Sequence, residues 1–148
     1  MATRTKKLPR VRNADRPRAD EVVRKSGGSD LQNGWLSRHG TLSITDERLL
    51  FSPTILDRVL GAKRREILLD EIEELERFPL SPEHFPPGGK RPRLLVHTGA
   101  CTYEFMVGDL DSWIDGILRV FELRRQAGRP HTPGVLREGY RDMLYAEE

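Results

Sequence analysis

The stretch Gly40-Thr-Leu-Ser-Ile-Thr-Asp-Glu-Arg-Leu-Leu-Phe-Ser-Pro53 limits what this chain can fold into more than any other. Leu42 and Ile44 alternate with Thr41, Ser43 and Thr45, the two-residue period of a strand with one buried face. Thr45-Asp46-Glu47 is polar and turn-prone, and Leu49 and Phe51 then share a face again. Two short alternating runs around a polar break predict a β-hairpin. Gly40 marks either a bulge or the start of the first of these strands.

At 148 residues the chain has room for one domain. An apolar share of 36% beside 32% charged residues predicts a modest core with polar ends. A single cysteine, Cys101, excludes an internal disulfide and a cysteine-based zinc site, and fits a reduced, cytosolic setting. No apolar run approaches the roughly 18 residues of a spanning helix. The basic N-terminus lacks the apolar segment of a secretion signal. A net charge of +2 does not by itself imply a nucleic-acid partner. Its distribution says more. Arg4, Lys6, Lys7, Arg10, Arg12, Arg16 and Arg18 crowd the first twenty residues against Asp15 and Asp20.

Residues 1–20, with Pro9 and Pro17 and no apolar period, read as a disordered basic arm, either a solvated tail or an interaction tail. Glu21–Ser26 reads as a strand broken by a turn at Gly27-Gly28-Ser29-Asp30. The glycines lack the spacing of a phosphate loop. Asn33-Gly34 marks a tight turn, and Trp35 reads as either a core anchor, the reading its usual burial favours, or an interfacial aromatic. Thr54–Gly61 predicts a short helical turn, with Thr54 as N-cap, Asp57 as a capping-box partner and Gly61 as C-terminal glycine. Its Ile55, Leu56, Val59 and Leu60 share one face, and Lys63, Arg64 and Arg65 follow at once. Amphipathic turns usually cover a core, so one expectation is that this face folds onto the sheet. The other is a peripheral membrane contact, hydrocarbon inserted and cations on anionic headgroups.

Arg65–Asp70 reads as a strand. Asp70–Phe78 has helix-forming composition, and Leu68, Ile72 and Leu75 are spaced for a helix face. Residues 78–92, with five prolines, form a long loop. Arg93–Thr98 and Cys101–Val107 are strands around a Gly99-Ala100 turn. The period then changes. Leu110, Trp113, Ile114, Ile117, Leu118 and Phe121 mark one face of a helix capped by Asp109 and stopped by Gly128 and Pro130. Residues 127–148 read as a polar tail, with a short helix over Val135–Tyr145.

Strands first and one amphipathic helix last describe an all-β layer with a capping helix. The residues Gly40-Thr-Leu-Ser-Ile-Thr-Asp-Glu-Arg-Leu-Leu-Phe51, with Ile67–Glu73, Tyr103-Glu-Phe105 and Trp113 in support, resemble a GRAM-type domain of the pleckstrin-homology (PH-like) superfold, as in bacterial PH/GRAM-like proteins. The likeness covers about residues 21–126, which become the domain. It implies a bent seven-stranded antiparallel sandwich or barrel closed by one C-terminal amphipathic helix. It also implies that Glu71–Phe78 is a strand, against the local helix signal.

Catalytic patterns are missing. His39, His84, His97 and His131 are scattered, no serine stands in a nucleophile elbow, and Asp109, Asp111 and Asp115 fail the calcium-loop spacing. The chain therefore reads as a non-catalytic binding module with no cofactor and no metal. The candidate lipid- or membrane-binding residues are Arg24, Lys25, Arg38, Ile55, Leu56, Arg58, Leu60, Lys63, Arg64 and Arg65. The resemblance adds that lipid binding in the superfold uses basic residues in and near the first two strands, which Arg24, Lys25 and Arg38 could supply. The partner is then an anionic membrane surface or phospholipid headgroup, met from the cytoplasmic side. The alternative is a protein–protein interaction module using a PH-like sheet edge or groove. Nucleic-acid contact through the arm alone is the weakest reading.

Overall fold

The computed structural model of the chain describes residues 21–33, 36–78 and 92–136. Eight strands form one sheet: β1 (Val23–Asn33), β2 (Leu36–Thr45), β3 (Arg48–Pro53), β4 (Arg65–Leu68), β5 (Ile72–Phe78), β6 (Arg93–Thr98), β7 (Thr102–Met106) and β8 (Gly134–Leu136). A short helix, α1 (Ile55–Val59), links β3 to β4, and α2 (Leu110–Gln126) follows β7. Their order across the sheet is β4-β3-β2-β1-β7-β6-β5-β8, so the sheet stays open with β4 and β8 at its edges. The expected hairpin at residues 40–53 is present as β2 and β3, with Leu42 opposite Phe51 and Ile44 opposite Leu49.

The core lies on one face. Leu42, Ile44, Leu49 and Phe51 join Leu75, Leu94, Val96, Phe105 and the buried stripe of α2, from Leu110 through Trp113 and Ile117 to Phe121. Asp109 caps α2 by accepting the Ser112 N–H at 3.2 Å. Gly128, at φ +88°, ends the helix, with its N–H bonded to Arg125 O and the Arg129 N–H bonded to Arg124 O. That is the paired bonding of a Schellman stop, where glycine removes the Cβ penalty.

Three expectations need correction. Strand β1 does not end at Gly27-Gly28 but runs through them in register with Leu42 and Thr41. A Cβ on Gly27 would touch the Trp113 ring at 3.4 Å, so the bare backbone gives α2 a close seat on β1. The sheet has eight strands rather than seven among the described residues, and it is not closed. Gly134–Leu136, read within a polar tail and helix, instead pairs in parallel with Glu74–Glu76 of β5. Residues 71–78 are a strand from Ile72 onward, entered by a single 3-10 turn over Leu69–Glu71, so the local helix signal is overruled. The basic arm, Trp35, the Pro-rich loop over 79–91 and the end of the tail lie outside the described residues.

Ion pairs centred on two buried arginines fasten the ends. Arg48, almost fully buried, donates to Glu21 at 3.0 Å and to Glu66 at 2.7 Å. Arg124, buried at the end of α2, donates to the Asp46 carbonyl and to Asp70, both at 2.6 Å. Arg129 adds Glu47 at 2.9 Å. Thus α2 is bolted to the β2–β3 turn and to the 3-10 turn before β5.

Candidate functional site

Helix α1 is inverted. Its one buried side chain is Asp57, while Ile55, Leu56, Val59 and Leu60 are 75%, 69%, 77% and 62% exposed. The local chemistry explains the inversion. Thr54 caps the helix, its hydroxyl accepting the Asp57 N–H at 3.3 Å, and the Thr54 N–H donates to His39 O at 2.9 Å. The Asp57 carboxylate then accepts the His39 backbone N–H at 2.5 Å. Both ends of this bonding reach β2, so the polar side of the turn faces the sheet and the aliphatic side faces out. Gly61, at φ +97°, donates to Arg58 O, and Ala62 N–H returns to Asp57 O at 2.8 Å. This second Schellman stop turns the chain into the basic run. The capping box expected for Asp57 is therefore absent: its carboxylate is spent on β2, not on Thr54. The expectation that the aliphatic face folds onto the sheet is overturned by its exposure.

Four outward aliphatic side chains on five to six residues are unusual, because a helix normally turns that stripe inward. Beside them a recess of about 260 Å³ is lined by Arg58, Gly61, Ala62, Lys63 and Arg64. No carboxylate among the described residues pairs with Arg58 or Lys63. Apolar tips and cationic heads thus share one corner.

The other candidate residues are placed elsewhere. Arg65 is half-buried on the core side of β4, opposite Phe51, and its guanidinium is lowered first by burial, with Tyr103 and Cys101 acting the other way. Burial likewise pushes the Tyr103 hydroxyl up. Arg24 is ion-paired with Asp46 at 2.7 Å, beside the β2–β3 turn. Lys25 donates to Ser112 at 2.9 Å and stacks over the Trp113 ring at 5.0 Å, tying β1 to α2. Arg38 lies on β2 opposite Leu31. The structure therefore gathers Ile55, Leu56, Arg58, Leu60, Lys63 and Arg64 into one corner and leaves Arg24, Lys25 and Arg65 out of it. Val59, read as part of the apolar face but not as a site residue, belongs with the first group. Its signal was already in the i, i+4 spacing from Ile55.

No known protein family matches the sequence, and no curated protein matches it. Solved structures do match in shape. The C-terminal domain of an unknown protein from Leishmania infantum is 21% identical, covering 69% of this chain and 85% of that one at a TM-score of 0.54. The hSac2 domain from human phosphoinositide phosphatase Sac2 is 8% identical, covering 82% and 79% at 0.55. The Vps36 N-terminal PH domain is 12% identical, covering 74% and 85% at 0.52. The chain has a PH-like fold. Among the described residues no helix is long and apolar enough to cross a membrane.

Proposed function

We propose that the protein is a non-catalytic module that binds an anionic membrane surface through the α1 corner, and that it is GRAM-type within the PH-like class on the strength of its β2–β3 motif. The observation that carries the reading is the inverted helix. Exposed aliphatic side chains beside Arg58 and Lys63, which no described carboxylate answers, match what an interface with hydrocarbon below and phosphate above rewards. Fully burying one Ile, Leu or Val is worth roughly 1.5–3 kcal/mol, and each cation near an anionic surface adds about 1 kcal/mol. Part of the apolar gain is realised at the shallow depth of an interfacial segment. The sum, less the cost of association, gives weak, salt-sensitive attachment. The recess between Arg58, Lys63 and Arg64 would hold one phosphate.

Co-sedimentation with vesicles tests this. Binding is expected to anionic but not neutral vesicles, to fall with added salt, and to be lost in both Ile55→Glu/Leu56→Glu and Arg58→Ala/Lys63→Ala/Arg64→Ala. Vesicle binding lost only on deletion of residues 1–20 would make the folded body a bystander. No binding under any condition would move the same exposed corner to a protein partner.

A further inference from the structure

We infer that Asp57 is the positioning residue of the α1 corner: its carboxylate latches the helix with the aliphatic face outward, and without it the corner loses its hold on an anionic surface. The effect on binding rests on the membrane reading; the latch itself rests on geometry alone. The β2–β3 ladder ends at the pair Gly40 and Pro53. The next rung would join His39 to Thr54, each residue exchanging its N–H and C=O with the other. Only half of that rung forms. The Thr54 N–H donates to His39 O at 2.9 Å, but Thr54 O is taken by the Arg58 N–H, also at 2.9 Å, because the helix starts there. The His39 N–H has lost its strand acceptor. The Asp57 carboxylate takes that place, accepting the N–H at 2.5 Å, and it is buried in doing so. A side chain thus completes the rung that β3 gives up to begin α1, and a charged acceptor makes the bond a strong one.

The latch works against the hydrophobic effect, which favours turning such a face inward. At 3.6 residues per turn Ile55, Leu56, Val59 and Leu60 fill an arc of about 140°, with Asp57 and Arg58 on the other side. Rolling α1 to bury that arc would pull the carboxylate off β2 and leave the His39 N–H without its acceptor, which is costly at a half-buried site. Asp57 also anchors the far end of the turn, its carbonyl accepting the Ala62 N–H at 2.8 Å. The bond at Thr54 holds only the first end. Charge gives the latch a distinctive signature. Asp57 is the one acid in residues 54–65, against Arg58, Lys63, Arg64 and Arg65. By charge alone its removal tightens binding to an anionic surface. By position its removal weakens it.

Co-sedimentation of the full chain with phosphatidylserine–phosphatidylcholine vesicles, comparing Asp57→Ala with Asp57→Asn, tests the two signs. Both variants raise the net charge by one, but only asparagine keeps an oxygen for the His39 N–H. Asp57→Asn is expected to bind at least as well as the unaltered protein. Asp57→Ala is expected to bind about fivefold more weakly, the equivalent of one lost hydrogen bond, with its near-ultraviolet circular dichroism unchanged. Equal binding by the two variants, or tighter binding by Asp57→Ala than by the unaltered protein, overturns the inference. Amide hydrogen exchange reads the latch without vesicles. The His39 amide should exchange slowly in the unaltered protein and in Asp57→Asn, and fast in Asp57→Ala. Fast exchange in the unaltered protein overturns the latch even if the alanine variant does not fold. Slow exchange that is lost only in Asp57→Ala, with no vesicle binding by any form, upholds the latch and overturns the membrane reading instead.

Discussion

Gly40 stands where two strands approach too closely for a side chain. A Cβ there would lie 2.3 Å from Ser52 O and 2.8 Å from both Pro53 Cα and the Phe51 ring. Two of those atoms are backbone and cannot rotate away, so the strain falls on the β2–β3 ladder itself. Gly40→Ala is therefore expected to destabilise by about 1–3 kcal/mol, toward the upper end, read as a lower urea midpoint at unchanged slope. The motif flagged Gly40 in the sequence, but as a bulge or a strand start, because close approach is a property of two strands and not of one. Asp57 shows the same limit. Its spacing from Thr54 matched a capping box, yet the stronger donor, the His39 N–H, lies 18 residues away. The burial of Arg48 and Arg124 is hidden from the sequence for the same reason. Their carboxylate partners, Glu21 and Glu66 for Arg48 and Asp70 for Arg124, lie 27, 18 and 54 residues away.

Among the elements, β5 was the hardest to read. Ile72 and Leu75 are three apart, a helical spacing, and both are core residues. A register shift between Ile72 and Glu74 produces this: one extra residue flips the alternation, so a strand imitates a helix. Strand β8 had no signal at all, since three residues joined by backbone bonds need no side-chain period. Helix α2 was plain throughout, because its buried stripe and both stops are local. What holds its end is not local. Partial burial raises the Asp70 carboxyl, but bonds and charge from Arg124, with Arg129 behind, outweigh it and keep Asp70 below the usual carboxylate range. A carboxyl lowered by folding contributes stability that is present above its unfolded value, about 3.9, and is lost as pH falls through its folded value. Asp70→Asn should thus lower the urea midpoint at pH 7, an effect that fades as pH falls below the unfolded carboxylate value. Asp70 is 60% exposed, so the difference is under about 1 kcal/mol.

Across the whole molecule the charges are sorted by place. Arg24 sits at the β2–β3 turn with Asp46, where Arg124 and Arg129 also find Glu47 and Asp70. That end is internally neutralised, so it offers an anionic surface little. Among the described residues, the α1 corner gathers four exposed aliphatic side chains beside Arg58 and Lys63, which no described carboxylate answers. A body attached there would meet the membrane by one corner, with the β2–β3 turn pointing away. A single reporter distinguishes this from a flat, charge-driven approach. In a Cys101→Ser background, an environment-sensitive dye on Leu56→Cys should shift to the blue on anionic vesicles and be quenched by lipids brominated near the headgroup. The same dye on Arg24→Cys should do neither. Equal shifts at the two positions would mean that the whole sheet lies along the surface, and the orientation derived from the inverted helix would be wrong.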